Sequence, residues 1–270
     1  MATERTGTIA ALWRYPVKSM RGEPIDRAIV TDRGLRGDRA YALVDVETGK
    51  VVSAKNPRKW PDLLEFQSVL LRSSEETSWT AAARVTLPDG SSLDTDAPDF
   101  NTRISALLGR AVRLESSAGD SSQIEGYWPD FDFVESPDSV FEVKLPPGTF
   151  FDAAVVHLVT TATLRTFQAN RPESQFDLAR FRPNILVEWE SDGFPEDGWT
   201  GQNIRIGDEV CLAIHEPCPR CVMTTVGQGG LPKDPDVLRT IVRENGGNLG
   251  VLASVVRGGA IQRGDAVSLG

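Results

Sequence analysis

The sequence predicts an α+β fold that is mostly β and built from barrels rather than from a doubly wound sheet. Short candidate strands recur at intervals of about 8–12 residues. Helical patterns are few and do not alternate regularly with the strands. The chain has 270 residues, 40% of them apolar and 25% charged. That suits one large domain or two small ones, with a core that needs no staples.

In chain order, residues 7–13 read as a strand, as do 40–46, 51–54 and 67–71, each bounded by turn residues. Glu47-Thr48-Gly49 looks like a hairpin turn. Asp89-Gly90, between 82–87 and 91–94, is the best hairpin signal in the chain. Residues 99–109 predict a helix capped by Asp99 or Asn101 and stopped by Gly109, and 110–115 a strand. Residues 115–142 hold eight acids and no Lys or Arg, with Tyr127, Trp128, Phe131, Phe133, Phe141, Pro129 and Pro137. This segment reads as poor in regular structure, either a linker or a lid packing its aromatics on a neighbour. A strand at 154–158 precedes a helix that begins at Thr160-Thr161-Ala162-Thr163 and runs to about Asn170. Residues 184–189 read as a buried strand, and 203–206 and 209–215 as a pair turned by Gly207-Asp208. Pro235 to Asn245 predicts a helix with Pro in its first turn and Gly246-Gly247 as its stop. Strands at 249–256 and 265–269 complete the pattern.

Net charge is −9, which argues against a general nucleic-acid binder. The charge is uneven. Residues 1–59 hold 12 Lys/Arg against 7 Asp/Glu, and only 6 of the 29 basic residues are Lys. Arg offers a planar fork suited to phosphate and carboxylate, so this region predicts either a local anion site or a solvated basic surface. No charged and apolar leader pattern opens the sequence, and no stretch approaches the ~18 apolar residues of a membrane span. Three cysteines, Cys211, Cys218 and Cys221, are too few and too clustered for a disulfide framework, so a cytoplasmic setting is expected.

The strongest local feature is Cys218-Pro219-Arg220-Cys221, after a strand and before Thr224-Thr225-Val226, which reads as strand and turn. It admits four readings. A zinc site would need Cys211, His215 or His157 to complete it. A thioredoxin-type pair should open a helix in a βαβ unit. Small buried residues could pack a strand end. A single reactive thiolate could sit beside Arg220, ready for metal ligation or nucleophilic attack. Three further clusters are weaker. Tyr15-Pro16-Val17-Lys18-Ser19-Met20-Arg21-Gly22 looks like an anion cradle but lacks P-loop order. In Gly34-Leu35-Arg36-Gly37-Asp38-Arg39, an Asp between two Arg can hold one guanidinium and leave the other to face a ligand. Arg180-Phe181-Arg182-Pro183-Asn184 stands at the entry of a strand.

Taken in order, YPVKSMRG, GLRGDRAYALVD, HLVTTATL, FRPNILVE and CPRCVMTTV resemble MOSC proteins that carry the MOSC N-terminal β-barrel domain, over about residues 5–269. The resemblance implies an N-terminal β-barrel-like domain (1–118) packed on a C-terminal MOSC β-barrel (119–270), with the molybdenum cofactor between them. Functional relatives are the mitochondrial amidoxime-reducing component and its bacterial counterparts, which reduce N-hydroxylated compounds. The family description also carries pyridoxal phosphate binding. By motif match, Cys221 is the catalytic molybdenum ligand. Lys18 and Ser19 hold the pterin phosphate, and Arg39 and Arg182 contact the cofactor. Thr160 and Thr161 form a small polar pair near the pterin. Pro219 and Arg220 flank the ligand and offer backbone contacts, while Cys218 is not the shared ligand. The implied reaction removes an oxygen atom from a small N-hydroxylated substrate at molybdenum. The alternative is a sulfur or cofactor carrier without turnover, and a third reading is a non-catalytic binding module. Two departures stand out. Gly227 replaces the Asp that many relatives carry after Thr-Thr-Val, ahead of Gln228-Gly229-Gly230, and Leu252 replaces an aromatic. The cysteines of an appended iron–sulfur domain are absent, so a separate flavin, haem or iron–sulfur donor protein is implied.

Overall fold

The computed structural model describes residues 6–71, 79, 81–116 and 118–270. Its first strand, β1 (Thr6–Arg14), turns Ile9 and Leu12 into the core. Their spacing of three breaks strict alternation because the register shifts between Ile9 and Ala11, as a bulge does. There follow β2 (Glu23–Ile25), β3 (Arg27–Thr31), β4 (Gly34–Leu35), β5 (Ala42–Asp45), β6 (Gln67–Leu70), β7 (Ala83–Thr86), β8 (Ser92–Asp94), α1 (Phe100–Leu108) and β9 (Val112–Glu115). A hairpin of β10 (Gln123–Trp128) and β11 (Ser139–Lys144) comes next. The remainder is β12 (Val156–Thr160), α2 (Thr161–Asn170), α3 (Leu178–Phe181), β13 (Ile185–Glu188), β14 (Asn203–Ile206), β15 (Val210–Pro219), α4 (Pro235–Asn245), β16 (Asn248–Arg257), β17 (Gly259–Gln262) and β18 (Ala266–Leu269).

Seven strands close a barrel in the order β13-β12-β16-β15-β14-β18-β1, and β1 pairs back onto β13. The chain is thus mostly β, as expected. The β12–β13 pair is parallel and the other pairs are antiparallel. Alternate residues fill the interior, among them Leu12, Leu158, Ile185, Ile204, Leu212 and Val251. Outside this barrel, α2, α3 and α4 enclose Phe167, Phe176, Phe181 and Ile241. A second core gathers Val17, Leu43, Leu63, Phe66, Val85, Phe100 and Ile104, and Cys221 and Val226 pack against it.

Local signals hold well at α4. Asp234 accepts a hydrogen bond from Asp236 N, Pro235 opens the helix, and Gly246 ends it in the left-handed region. Gly109 stops α1 in the same way. Asn101 serves another purpose, since its Oδ1 accepts from Leu114 N and fastens β9.

Other expectations need correction. Residues 51–54 form no strand, and Val51 makes only single bridges to Val44 and Ile124. Residues 115–142 are not irregular, because 123–128 and 139–144 form the β10–β11 hairpin. Glu125 and Glu142 face each other across it, a destabilising like-charge pair if left alone. Lys50 bridges both, at 2.8 Å and 2.6 Å, so the neutralising charge comes from a distant part of the chain. The ring of Phe141 covers Gly126, where a side chain would collide. Thr224-Thr225 lie in a 3-10 turn, Val222–Thr225, and not in a strand. Strands β2, β3, β4 and β17 were not expected.

Candidate functional site

Asp38 ties the site together. It is fully buried, and Oδ1 accepts from Tyr15 N at 2.7 Å. Its Oδ2 accepts from Asn184 Nδ2 at 2.9 Å and Arg39 Nη1 at 2.5 Å. Three sequence motifs, around Tyr15, Asp38 and Asn184, are therefore joined by one carboxylate. Asn184 extends the join to β12, because its Oδ1 accepts from His157 N at 3.1 Å. The Tyr15 ring is a platform for two cations, with the Arg39 and Arg182 guanidinium carbons 4.4 Å and 4.3 Å from its centroid. Its hydroxyl donates to Pro183 O at 3.1 Å, and burial pushes its pKa up.

Lys18 is buried and donates to Phe150 O at 2.7 Å and Asp152 Oδ1 at 2.5 Å. Burial pulls its pKa down to about 8 against the attraction of Asp152. Lys55 reaches the other oxygen of Asp152 at 3.1 Å. Burial opposes the charge on Asp152, but Lys18 and Lys55 together hold its pKa well below the usual carboxylate range. The Lys55 pKa is raised: burial works against the charge, and Asp152 and then the Cys221 sulfur outweigh it. Lys55 thus lies near the Cys221 sulfur. The Arg220 guanidinium turns instead to Cys218 Sγ, at 2.9 Å, and to Phe181 O, at 2.9 Å. Ser19 Oγ accepts from Ala54 N at 3.1 Å, which fastens the segment that carries Lys55.

Arg39, Arg182 and Arg220 are electrostatic neighbours of Tyr15, Arg39 and Lys55 are neighbours of Lys18, and Arg220 and Cys221 are neighbours of Lys55. Cys221 sits half-buried at the head of the 3-10 turn, where its carbonyl accepts from Thr224 N and Oγ1. The loop beyond is clamped by Arg180, which donates to Thr224 O, Val226 O and Pro232 O. Pro219 is exposed at the end of β15, and Arg220 N bonds Gly247 O at 2.8 Å. Thr160 and Thr161 are engaged elsewhere. Thr160 caps α2 and donates to the buried Glu196 at 2.6 Å, and Thr161 Oγ1 accepts from Trp189 N and Arg165 Nη1. None of these partners belongs to the basic cluster.

Tyr15 lay within the predicted anion cradle without a role of its own, and sequence motifs did not single out Lys55 or Asp152. Only Lys55's place in the basic first third hinted at it. His157 is buried, with Nε2 3.2 Å from Leu249 O, and burial beside Arg220 pulls its pKa down to about 3. Among the described residues no three His, Cys, Asp or Glu gather as a metal-binding group, so the zinc reading lacks its further ligands. The thioredoxin reading fails on topology, because β15 pairs antiparallel with β16 and a 3-10 turn, not an α-helix, opens at Cys221.

Two family models match, the MOSC N-terminal β-barrel domain over residues 6–131 and the MOSC domain over residues 147–268. The chain is a member of the MOSC family. It is 30% identical to mitochondrial amidoxime reducing component 2 of Macaca fascicularis, over 86% of this chain and 68% of that protein. It is 27% identical to the human mitochondrial amidoxime-reducing component 1, with the same coverage. The molybdenum cofactor sulfurase of Drosophila grimshawi is 24% identical over 87% of this chain but only 30% of its own length. In this MOSC chain β1 is itself a stave of the closed barrel, paired with β13 and β18, and it leads straight into the Tyr15–Gly22 loop. Among the described residues no helix is long and apolar enough to cross a membrane.

Proposed function

We propose that this MOSC chain binds the molybdenum cofactor and reduces N-hydroxylated compounds, with electrons from a separate flavin, haem or iron–sulfur protein. The observation that carries this reading is a pair of buried guanidinium nitrogens, Arg182 Nη1 and Arg220 Nε, that have no hydrogen-bond partner in the protein. Burying such donors unpaired costs about 1–3 kcal/mol each, so the site is shaped for an acceptor. A phosphate-bearing group fits the cations, and a soft metal fits the Cys221 sulfur. When bound, such a cofactor supplies two-electron oxygen-atom transfer.

The chain's own residues do the rest. Lys18, Arg39 and Arg182 hold the anionic part of the cofactor. Asp38 and Asp152 orient those cations, and Cys221 supplies the metal ligand. Lys18 keeps its proton on Nζ at neutral pH, and His157 stays neutral, so it adds no further positive charge. Overall, an amidoxime, two electrons and two protons give an amidine and water; the N–O bond breaks and its oxygen leaves in the water.

The test is turnover of benzamidoxime with a viologen donor, comparing the protein with Cys221→Ala. The variant folds normally and its reductase activity falls below detection. Full activity in Cys221→Ala overturns the reading. Cofactor retention without turnover under any donor, in the unaltered protein, points instead to the carrier role, which the likeness to a cofactor sulfurase favours.

A further inference from the structure

The segment around the β10–β11 hairpin joins an apolar groove to a surplus of negative charge. Residues 115–142 hold eight acids and no Lys or Arg. Four of the acids are matched in the fold: Glu115 by Arg113, Glu125 and Glu142 by Lys50, and Asp138 by Arg58. Asp130, Asp132 and Glu135 are exposed, and among the described residues no ion pair or side-chain hydrogen bond engages them. The arginines of the adjoining surfaces are already taken, Arg58 by Asp138, Arg239 by Asp236 and Arg243 by Glu244. These three acids stand along a groove of about 450 Å³ between the β10–β11 loop and α4. Glu135 lines it, and Asp130 and Asp132 alternate in sequence with its lining residues Pro129, Phe131 and Phe133. Trp128 and Phe133 are left 37% and 38% exposed there. Large exposed aromatics beside unmatched charge are the composition of a protein contact.

The groove also touches the backbone that carries Cys221. Arg220 and Gly246 are among its lining residues. Arg220 N donates to Gly247 O at 2.8 Å. The Cα of Cys221 is one peptide, about 3.8 Å, from that of Arg220. A short covalent and hydrogen-bonded route therefore runs from the groove to the residue that bears the sulfur.

We propose that this groove and its acidic lip are the docking face of the separate electron donor, and that the donor presents a basic contact face with an apolar centre. The inference rests on the reductase reading above, which needs electrons from another protein. Electrons cross short bonded routes without contact between the two redox groups, so the donor has no need to reach Cys221 itself. Transient redox contacts are small and are steered by charge. Here three unmatched carboxylates supply the charge, and the exposed aromatics supply the dry centre. A second copy of this chain does not suit the face. A two-fold contact would set Asp130, Asp132 and Glu135 against their own copies, on a chain of net charge −9.

The experiment reads docking on the protein as purified and electron flow on the molybdenum-loaded protein. The probes are mitochondrial cytochrome c, a basic haem protein, and a plant-type ferredoxin, an acidic iron–sulfur protein. In calorimetry at low ionic strength cytochrome c binds and the ferredoxin does not. The triple variant Asp130→Asn, Asp132→Asn, Glu135→Gln binds cytochrome c at least about tenfold more weakly, and Phe133→Ala about threefold more weakly. Removing two exposed acids elsewhere, Glu190→Gln with Asp192→Asn, alters the affinity by less than about twofold. Loaded protein reduced with dithionite is then mixed with ferricytochrome c. Two electrons leave each reduced protein and turn two ferric haems ferrous, and the triple variant slows this at least about tenfold. Ferricyanide, a small acceptor that needs no protein face, is reduced no more slowly by the variant than by the unaltered protein. The proposal is overturned if cytochrome c fails to bind, or binds the triple variant or folded Phe133→Ala as tightly as the unaltered protein. Equal weakening by the Glu190 and Asp192 changes overturns it too. So does a dimer in sedimentation that Phe133→Ala dissolves, because a second copy then fills the groove. Ferricyanide slowed as much as cytochrome c also overturns it, since the acids then act inside the protein. The reductase reading is judged separately, by turnover of benzamidoxime with the viologen donor. Docking lost in the triple variant, with no turnover by the unaltered protein, refutes the reductase and keeps the face as a site for a basic protein. Turnover, with cytochrome c affinity untouched by the triple variant, refutes the face and keeps the reductase.

Discussion

Ser19, Arg39 and Arg182, with φ of 65°, 47° and 55°, are three of the four non-glycine residues in the left-handed region among the described residues. Such conformations cost roughly 1 kcal/mol or more each and persist where the surroundings over-determine them. Here the surroundings are visible: Asp38 grips Arg39, Ala54 N holds Ser19, and Tyr15 supports Arg182. His157 shows how the same packing sets a pH response. Its folded pKa of about 3 lies below the ordinary 6.5, so the unfolded chain binds the proton first as pH falls. Stability from neutral burial is complete above pH 6.5 and is lost as pH drops from there toward 3. By pH 5 this one group should remove about 2 kcal/mol. Urea unfolding of the protein and of His157→Gln at pH 7 and pH 5 checks this: the variant should lack that share of the loss. An identical loss in both assigns the acid sensitivity to other groups.

At the scale of elements, Thr160 joins β12 to α2. Its Oγ1 accepts from Thr163 N, the cap of the helix, and donates to Glu196. Thr160→Ala should lower stability by about 1–2 kcal/mol in thermal or urea unfolding. It should leave molybdenum retention unaltered, whereas a pterin-contacting role would lower both. Legibility divides along the same line between local and distant causes. Helix α4 could be read because its cap, its Pro and its Gly stop are all local. The β10–β11 hairpin was hidden because Lys50, which neutralises its paired acids, lies more than seventy residues away. The 3-10 turn after Cys221 was hidden because Arg180, from another segment, holds its carbonyls. The cysteine motif and the cations Lys18, Arg39 and Arg182 were legible as motif residues, while Asp152 and Lys55 become site residues only through tertiary contact.

For the whole molecule, one strand serves both the barrel and the candidate site. Strand β1 closes the ring against β13 and β18, then delivers Tyr15 and Lys18 to the cysteine loop. Gly7 lies where a Cβ would collide with Glu188 O and stand 2.6 Å from the Trp189 ring. Gly7→Val should therefore destabilise the fold by about 2–3 kcal/mol in urea unfolding and weaken cofactor retention with it. Loss of stability with retention intact would separate closure from the site.

The central claim is that one soft sulfur and the cations around it form a molybdenum-cofactor site. The direct measurement is molybdenum and pterin content per chain, for protein made in a host competent for cofactor synthesis. The account predicts about one molybdenum per chain in the unaltered protein and at least about a tenfold loss in folded Arg182→Ala. No metal or pterin in the unaltered protein, or equal loading in the variant, would contradict it.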